Sequence, residues 1–359
     1  MSTWRRAFDV IREGVSARVF PGASAEAGSS DAVRWRQATG SLSHETDSTP
    51  VSPGTVYDLA SLTKPIATAT LAMRLVEAGR LDLTSSVASL EPEWNGGDRV
   101  DVTLQDLLEH AAGLPAWAPL WKDHAGRGAV VTAACGVPLE YVPRSRNLYS
   151  DLGFIVLGAV LERAGRAALD DQFGRLCGGW RNAGAEGLLL FVPPAALRGR
   201  TAPTRFSEAR ERLLLAEVDD DNAWAMGGVA GHAGLFGTAA AVGRFARTLM
   251  RALRGDREAE HLVAGRDVIR RFLQPSDVPG SSRALGWDLM RPASSCGTRM
   301  SASAFGHTGF TGTSLWIDPV QDVYAVLLTN RVHPIAGPHE AMQAVRRAFH
   351  DALMEGGRF

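Results

Sequence analysis

The chain has 359 residues, 45% of them hydrophobic, enough to bury a large core in one enzyme fold or in two to three smaller domains. Its 38 Lys and Arg against 39 Asp and Glu leave a formal net charge of −1, which gives no long-range attraction to nucleic acid or to an anionic membrane. No stretch reaches the roughly 18 uncharged apolar residues of a membrane span, residues 1–20 lack the apolar run of a secretory signal, and Cys135, Cys177 and Cys296 are too widely spaced for a disulfide framework or metal knuckle, so a cytoplasmic location is expected.

In chain order, Trp4, Phe8, Ile11 and Val15 recur with helical spacing over 4–19, and Pro21 and Gly22 stop that helix. Residues 23–27 and 32–39, divided by a turn at 28–31, read as a β-hairpin. A polar loop over 44–54 leads into an extended piece at 56–59. A helix over 60–78 follows, with Ile66, Ala69, Met73 and Val76 as its buried stripe. Residues 103–110 form a helix capped by Thr103, with Leu104, Leu107 and Leu108 facing inward. Further helices are expected over 151–164, 167–176 and 232–253, with long loops at 117–147 and 191–222. Strands at 285–290, 304–306, 312–317 and 323–329, the last two joined across a turn at 318–322, precede a closing amphipathic helix at 339–354.

Strands at both ends with helices between them predict an α/β fold: an antiparallel sheet formed by the N- and C-terminal segments, flanked by helices, with an all-α domain inserted. The expected division is 1–80 with 276–359 for the sheet part and 81–275 for the helical part, with the active site at their interface. No heptad run or internal repeat is present, and the sequence specifies no oligomeric state.

Ser61-Leu62-Thr63-Lys64 places a hydroxyl and an amine three residues apart, on one face of a helical turn. A serine hydroxyl is a poor nucleophile until a neighbour accepts its proton, and a helix N-terminus directs N–H groups toward developing negative charge. Pro65 has no N–H for the Ser61 carbonyl and biases Lys64 away from helical angles, so the turn must be near a helix start. Tyr149-Ser150-Asp151 directly precedes an apolar helix, where a phenol could exchange the serine proton. His307-Thr308-Gly309-Phe310 lies between two strands, and the Phe310 N–H could complete an oxyanion hole beside Ser61 N–H. Each short pattern is common taken alone. No G-x-S-x-G elbow, P-loop, G-x-G-x-x-G or H-E-x-x-H occurs. His110, His232 and His307 lack metal-ligand spacing, so neither metal nor cofactor is expected, and His232 reads as a structural hydrogen-bonding residue.

Together and in this order, these segments resemble the active-site motifs of serine beta-lactamases and penicillin-binding proteins, most closely the class C beta-lactamase-related group with its esterases and D-amino-acid-releasing peptidases. The resemblance runs from Ser52 through Thr329. It is strengthened by Tyr57-Asp58-Leu59-Ala60 before Ser61, by Leu107-Leu108-Glu109-His110, by residues 227–235 and by residues 305–319. It implies a beta-lactamase/transpeptidase-like fold and an acyl-enzyme route. Ser61 would be the nucleophile, Lys64 and Tyr149 would jointly manage its proton, and the Ser61 and Phe310 amides would hold the oxyanion. Asp151, His307, Thr308 and Gly309 would contact a small ester, lactam or short-peptide substrate.

Two residues depart from the family pattern. Asp151 stands where asparagine is usual, and His307 stands where lysine is usual. Ionised aspartate offers no donor, and neutral histidine carries no permanent charge for a substrate carboxylate. The expected activity is therefore hydrolysis of small carboxylic esters or related acyl substrates, the departures also fitting a peptide-like substrate whose carboxylate is held elsewhere. Beta-lactamase or D-amino-acid peptidase or amidase activity is the alternative, and a ligand-binding protein that keeps the cleft with little turnover is a third reading.

Overall fold

A hairpin of β1 (Gly22–Gly28) and β2 (Val33–Gly40) opens the main sheet of the protein, whose computed structural model describes residues 3–178 and 187–355. The sheet has seven antiparallel strands. Taking β3 (Tyr57–Asp58), β4 (Leu189–Phe191), β5 (Phe206–Ser207), β6 (Arg212–Leu213) and β7 (Leu235–Gly237) as smaller elements, the others are β8 (Arg283–Ala284), β9 (Trp287–Leu289), β10 (Phe305–Thr308), β11 (Ser314–Asp318) and β12 (Val323–Thr329). Their order in the main sheet is β2-β1-β12-β11-β10-β9-β8. The N-terminal hairpin thus joins the C-terminal strands through β1 and β12, with Ala23 opposite Thr329 and Ala27 opposite Ala325. Every residue of β1, β11 and β12 is buried, because both faces of the sheet are covered.

One face is covered by the helices Thr3–Ser16 and His339–Met354, which pack on each other. Their core includes Ala7, Ile11, Phe349 and Leu353, with Ala25, Ala325 and Trp316 from the sheet. The other face meets the helical body, and the hydrophobic cluster there runs from Val326 and Leu328 through Ile66 and Met73 to Phe154 and Leu107 without a break. Among the described residues no helix is long and apolar enough to cross a membrane. The α/β architecture with its sheet shared between the termini matches the sequence expectation.

Three local expectations are corrected. The 117–147 segment is not all loop: it contains the helix Arg127–Gly136, which buries Val130, Val131, Ala134 and Cys135. The 232–253 segment is not one helix, because β7 precedes the helix Ala239–Leu253 and pairs with both β3 and β4. The 60–78 helix is three pieces: a 3-10 turn Ala60–Leu62, a π-helix Lys64–Ala69 and an α-helix Thr70–Glu77. Pro65, which has no N–H to donate, sits at the start of the π segment where the regular ladder fails.

Candidate active site

β3 delivers the chain to Ser61 through Ala60, which has a left-handed φ of 47°. This conformation is unfavourable for a residue with a Cβ. Asp58 compensates locally: its Oδ1 accepts the Ala60 N–H at 2.8 Å, while Oδ2 accepts the Asp219 N–H at 2.7 Å. Burial, and then the nearby Asp219 carboxylate, push the Asp58 carboxyl up to about 7. Thr63 stiffens the turn, its hydroxyl donating to the Ala60 carbonyl and accepting the Leu235 N–H.

Lys64 is completely buried beneath Ser61. Its Nζ donates to Ser61 Oγ at 3.0 Å, to Asp151 Oδ1 at 2.6 Å and to the His232 carbonyl at 3.0 Å. All three protons of an ammonium are thereby used. Burial opposes the charge, but Asp151 and then Tyr149 more than reverse that effect, and the pKa lies above the ordinary lysine value. The His232 carbonyl reaches Lys64 because Gly231 lets its segment press against the helix Asp151–Gly165. A Cβ at Gly231 would lie 2.1 Å from the Phe154 carbonyl oxygen.

Tyr149 and Asp151 flank Ser150, whose hydroxyl caps the helix Asp151–Gly165 by accepting the Gly153 N–H. The cap therefore fixes both neighbours at the cleft. The centre of the Tyr149 ring is 4.9 Å from Lys64 Nζ and 4.9 Å from the Arg283 guanidinium. Its hydroxyl is shut off from solvent and lies close to Lys64 and Ser61. Burial raises the phenol pKa, with Lys64 pulling the other way.

His307, on β10, is buried and donates from Nδ1 to the Thr308 carbonyl at 2.8 Å. Nε2 is then an unprotonated acceptor, and it has no partner among the described residues. Burial, followed by Arg283 and Lys64, holds the imidazole pKa well below its usual value, so the ring is neutral. His110 is likewise kept neutral by burial and the same cations; its Nδ1 accepts the Ser150 N–H, and its ring lies 4.5 Å from Tyr149.

Ser61, Tyr149, Asp151, His307, Thr308, Gly309 and Phe310 all line one cleft of about 800 Å³. The structure therefore brings together every site residue expected from the sequence, with Lys64 just below the cleft floor. Four contributors were given no role in the sequence reading: Asp58, Asp220, Arg283 and His110. Asp220 holds the His232 ring at 2.8 Å, which agrees with a structural role for that histidine. Asp58 and His110 sit inside the quoted motif stretches, but Asp220 and Arg283 have no local pattern that would reveal them. Among the described residues no group of three or more His, Cys, Asp or Glu is arranged to hold a metal ion.

This arrangement sets a serine hydroxyl against a buried cation and beside a buried phenol, in a cleft between sheet and helices. Fold and site together define the class: a serine hydrolase. The family described as Beta-lactamase matches residues 7–348, and the chain belongs to that family. A curated relative from Escherichia coli (strain K12), a putative D-alanyl-D-alanine carboxypeptidase, is 31% identical over 316 residues, covering 80% of this chain and 72% of the relative. In structure, the chain is similar to a penicillin-binding protein homologue from Caulobacter crescentus (19% identity, TM-score 0.75, 98% of this chain and 97% of that one). It is also similar to EstCE1, a hydrolase with promiscuous acyltransferase activity (20% identity, TM-score 0.76, 98% of each chain). At these identities the two structural likenesses are likenesses of fold.

Proposed function

We propose that the chain hydrolyses small, uncharged carboxylic esters through an acyl-enzyme on Ser61. Once the Lys64–Tyr149 pair has given up one proton to solvent, Ser61 Oγ attacks the ester carbonyl, and its proton passes into that pair and from there to the departing alkoxide. The Ser61 and Phe310 amides stabilise the oxyanion, and water then releases the acid by the reverse relay. The observation that carries this reading is the hydrogen-bonded row Ser61 Oγ–Lys64 Nζ–Asp151 Oδ1, at 3.0 and 2.6 Å.

The preference for esters is supported by the neutral His307, which presents no cation to a substrate carboxylate. It is also supported by two half-exposed aromatic side chains lining the cleft, Trp117 and Phe310, which suit an apolar acyl or alcohol group. A second reading, release of a D-amino acid from a peptide, is favoured by the 31% identity to the E. coli putative D-alanyl-D-alanine carboxypeptidase.

Side-by-side kinetics on p-nitrophenyl esters, D-amino-acid amides, muropeptide-like peptides and a cephalosporin reporter separate the readings. Fast ester turnover with negligible cephalosporin cleavage supports the first. Faster turnover of peptide or cephalosporin overturns it.

A further inference from the structure

We infer that Thr311 and Thr313 are positioning residues that set the spacing of the oxyanion hole by tying the loop carrying the Phe310 amide to the turn carrying the Ser61 amide. The inference rests on the proposed Ser61 mechanism. The loop 309–313 between β10 and β11 is a rigid piece, because each of its five carbonyls is engaged. The Gly309 oxygen accepts from Gly312 N–H at 3.1 Å and from Arg346 Nη2 at 2.8 Å. The Phe310 oxygen accepts from Arg331 Nε at 2.9 Å, and the Thr311 oxygen from Arg331 N–H at 3.0 Å. The Gly312 oxygen accepts from Thr329 Oγ1 at 3.1 Å, and the Thr313 oxygen from Gly309 N–H at 2.8 Å and Arg346 Nη2 at 2.9 Å. Among the described residues the Phe310 N–H, by contrast, donates to no protein acceptor.

This rigid loop is joined to the nucleophile turn by two hydroxyls. Thr311 Oγ1 donates to the Asp58 carbonyl at 2.8 Å, and Thr313 Oγ1 donates to the Leu59 carbonyl at 3.0 Å. Those carbonyls belong to the residues just before Ala60 and Ser61, and both threonines are buried. Gly309 permits the approach: a Cβ there would lie 2.6 Å from the Leu59 oxygen and 2.1 Å from Thr313 Oγ1. Two amides from segments some 250 residues apart are thus fixed relative to each other through a pair of short side chains, the preorganisation an oxyanion hole requires.

The test compares T311V, T313V and the double variant with T311S, using a short aryl ester and its thionoester. Thiocarbonyl sulfur is a weaker hydrogen-bond acceptor, so it gains less from the amide pair. The double variant is expected to lose about 10²-fold in kcat on the oxoester with little change in KM. It should lose less on the thionoester, so that the preference for oxygen shrinks, and T311S should recover the wild-type preference. Equal losses on both substrates, no loss, or failure of T311S to recover would overturn the inference. If the double variant does not fold, T311V and T311S carry the same comparison. Wild-type turnover that survives in S61A would instead overturn the mechanism on which the inference rests.

Discussion

Replacing Asp151 by asparagine tests what keeps Lys64 protonated. The carboxylate oxygen lies 2.6 Å from Nζ, the lysine side chain is fully buried, and the Asp151 side chain is 21% exposed. At an effective dielectric constant of about 20, unit charges at that distance attract by roughly 6 kcal/mol. The cost of burying the ammonium opposes this, and the raised pKa of Lys64 shows that its anionic surroundings win. Asparagine keeps an acceptor oxygen but removes the charge, so burial dominates and the lysine pKa falls. At pH 7 the variant should be about 3 kcal/mol less stable, the low end of the cost of breaking a buried pair, because the hydrogen bond survives.

Two assays follow from the sign of that change. The serine proton needs a vacancy on the Lys64–Tyr149 pair, so kcat/KM for an aryl ester rises along an alkaline limb, and in D151N that limb should begin at lower pH. In the wild type the folded pKa of Lys64 lies above the ordinary 10.5, so its contribution to stability is complete below that pH and is lost only as pH rises through the folded value. In D151N the order is inverted, and stability should increase as pH climbs from the lowered pKa toward 10.5. The difference in Tm between the two proteins should therefore narrow from pH 7 to pH 10. Superimposable rate profiles with a Tm difference independent of pH would refute the reasoning.

Ser61→Ala should lower p-nitrophenyl ester hydrolysis by at least about 10³-fold and abolish the mass added by a fluorophosphonate probe, as intact-protein mass spectrometry would register. Because the Asp58 carboxyl is pushed up to about 7 from 3.8, folding stability should decline as pH rises between those values and level off above; urea unfolding from pH 4 to 8 should show that slope in the wild type and not in D58N. Thr103→Ala removes one half of the reciprocal capping box with Asp106 on the helix Leu104–Leu108, and should cost about 1 kcal/mol in the same unfolding measurement.

Much of this site was legible in the sequence where the signal is local. The Thr103 cap, the helix His339–Met354 and the strand Val323–Thr329 all follow from short-range pattern and fall at the expected residues. The Asp151 pairing with Lys64 was foreseeable from charge alone once both motifs were assigned to one pocket. Non-local elements were hidden. β7 is only three residues long and exists because Leu235–Gly237 pairs with strands on both sides, one about 180 residues earlier in the chain. The helix Arg127–Gly136 has glycines at both ends of a short, weakly amphipathic run, so its composition resembled loop. Arg283 is the clearest case at the site. It lies on a two-residue edge strand, and only the folded sheet places its guanidinium against Tyr149.

Arg283 also bears on why two departures from the family pattern can coexist in a working cleft. Asp151 in place of asparagine adds a negative charge, and His307 in place of lysine removes a positive one. The first is answered directly by Lys64, whose ammonium it holds in contact with Ser61. The second is answered at a different place: the Arg283 guanidinium sits over the Tyr149 ring, paired to Asp288 at 2.7 Å. A cation therefore remains beside the phenol, where the proposed mechanism exchanges a proton, while the strand position carries only a buried, neutral imidazole in His307. A substrate carboxylate would find no cation at that position, whereas an uncharged ester would lose nothing. Arg205, Arg331 and Arg346 also line the cleft, so the expectation that ester turnover exceeds beta-lactam turnover rests on the missing cation at the β10 position itself, next to the reacting carbonyl in the proposed mechanism.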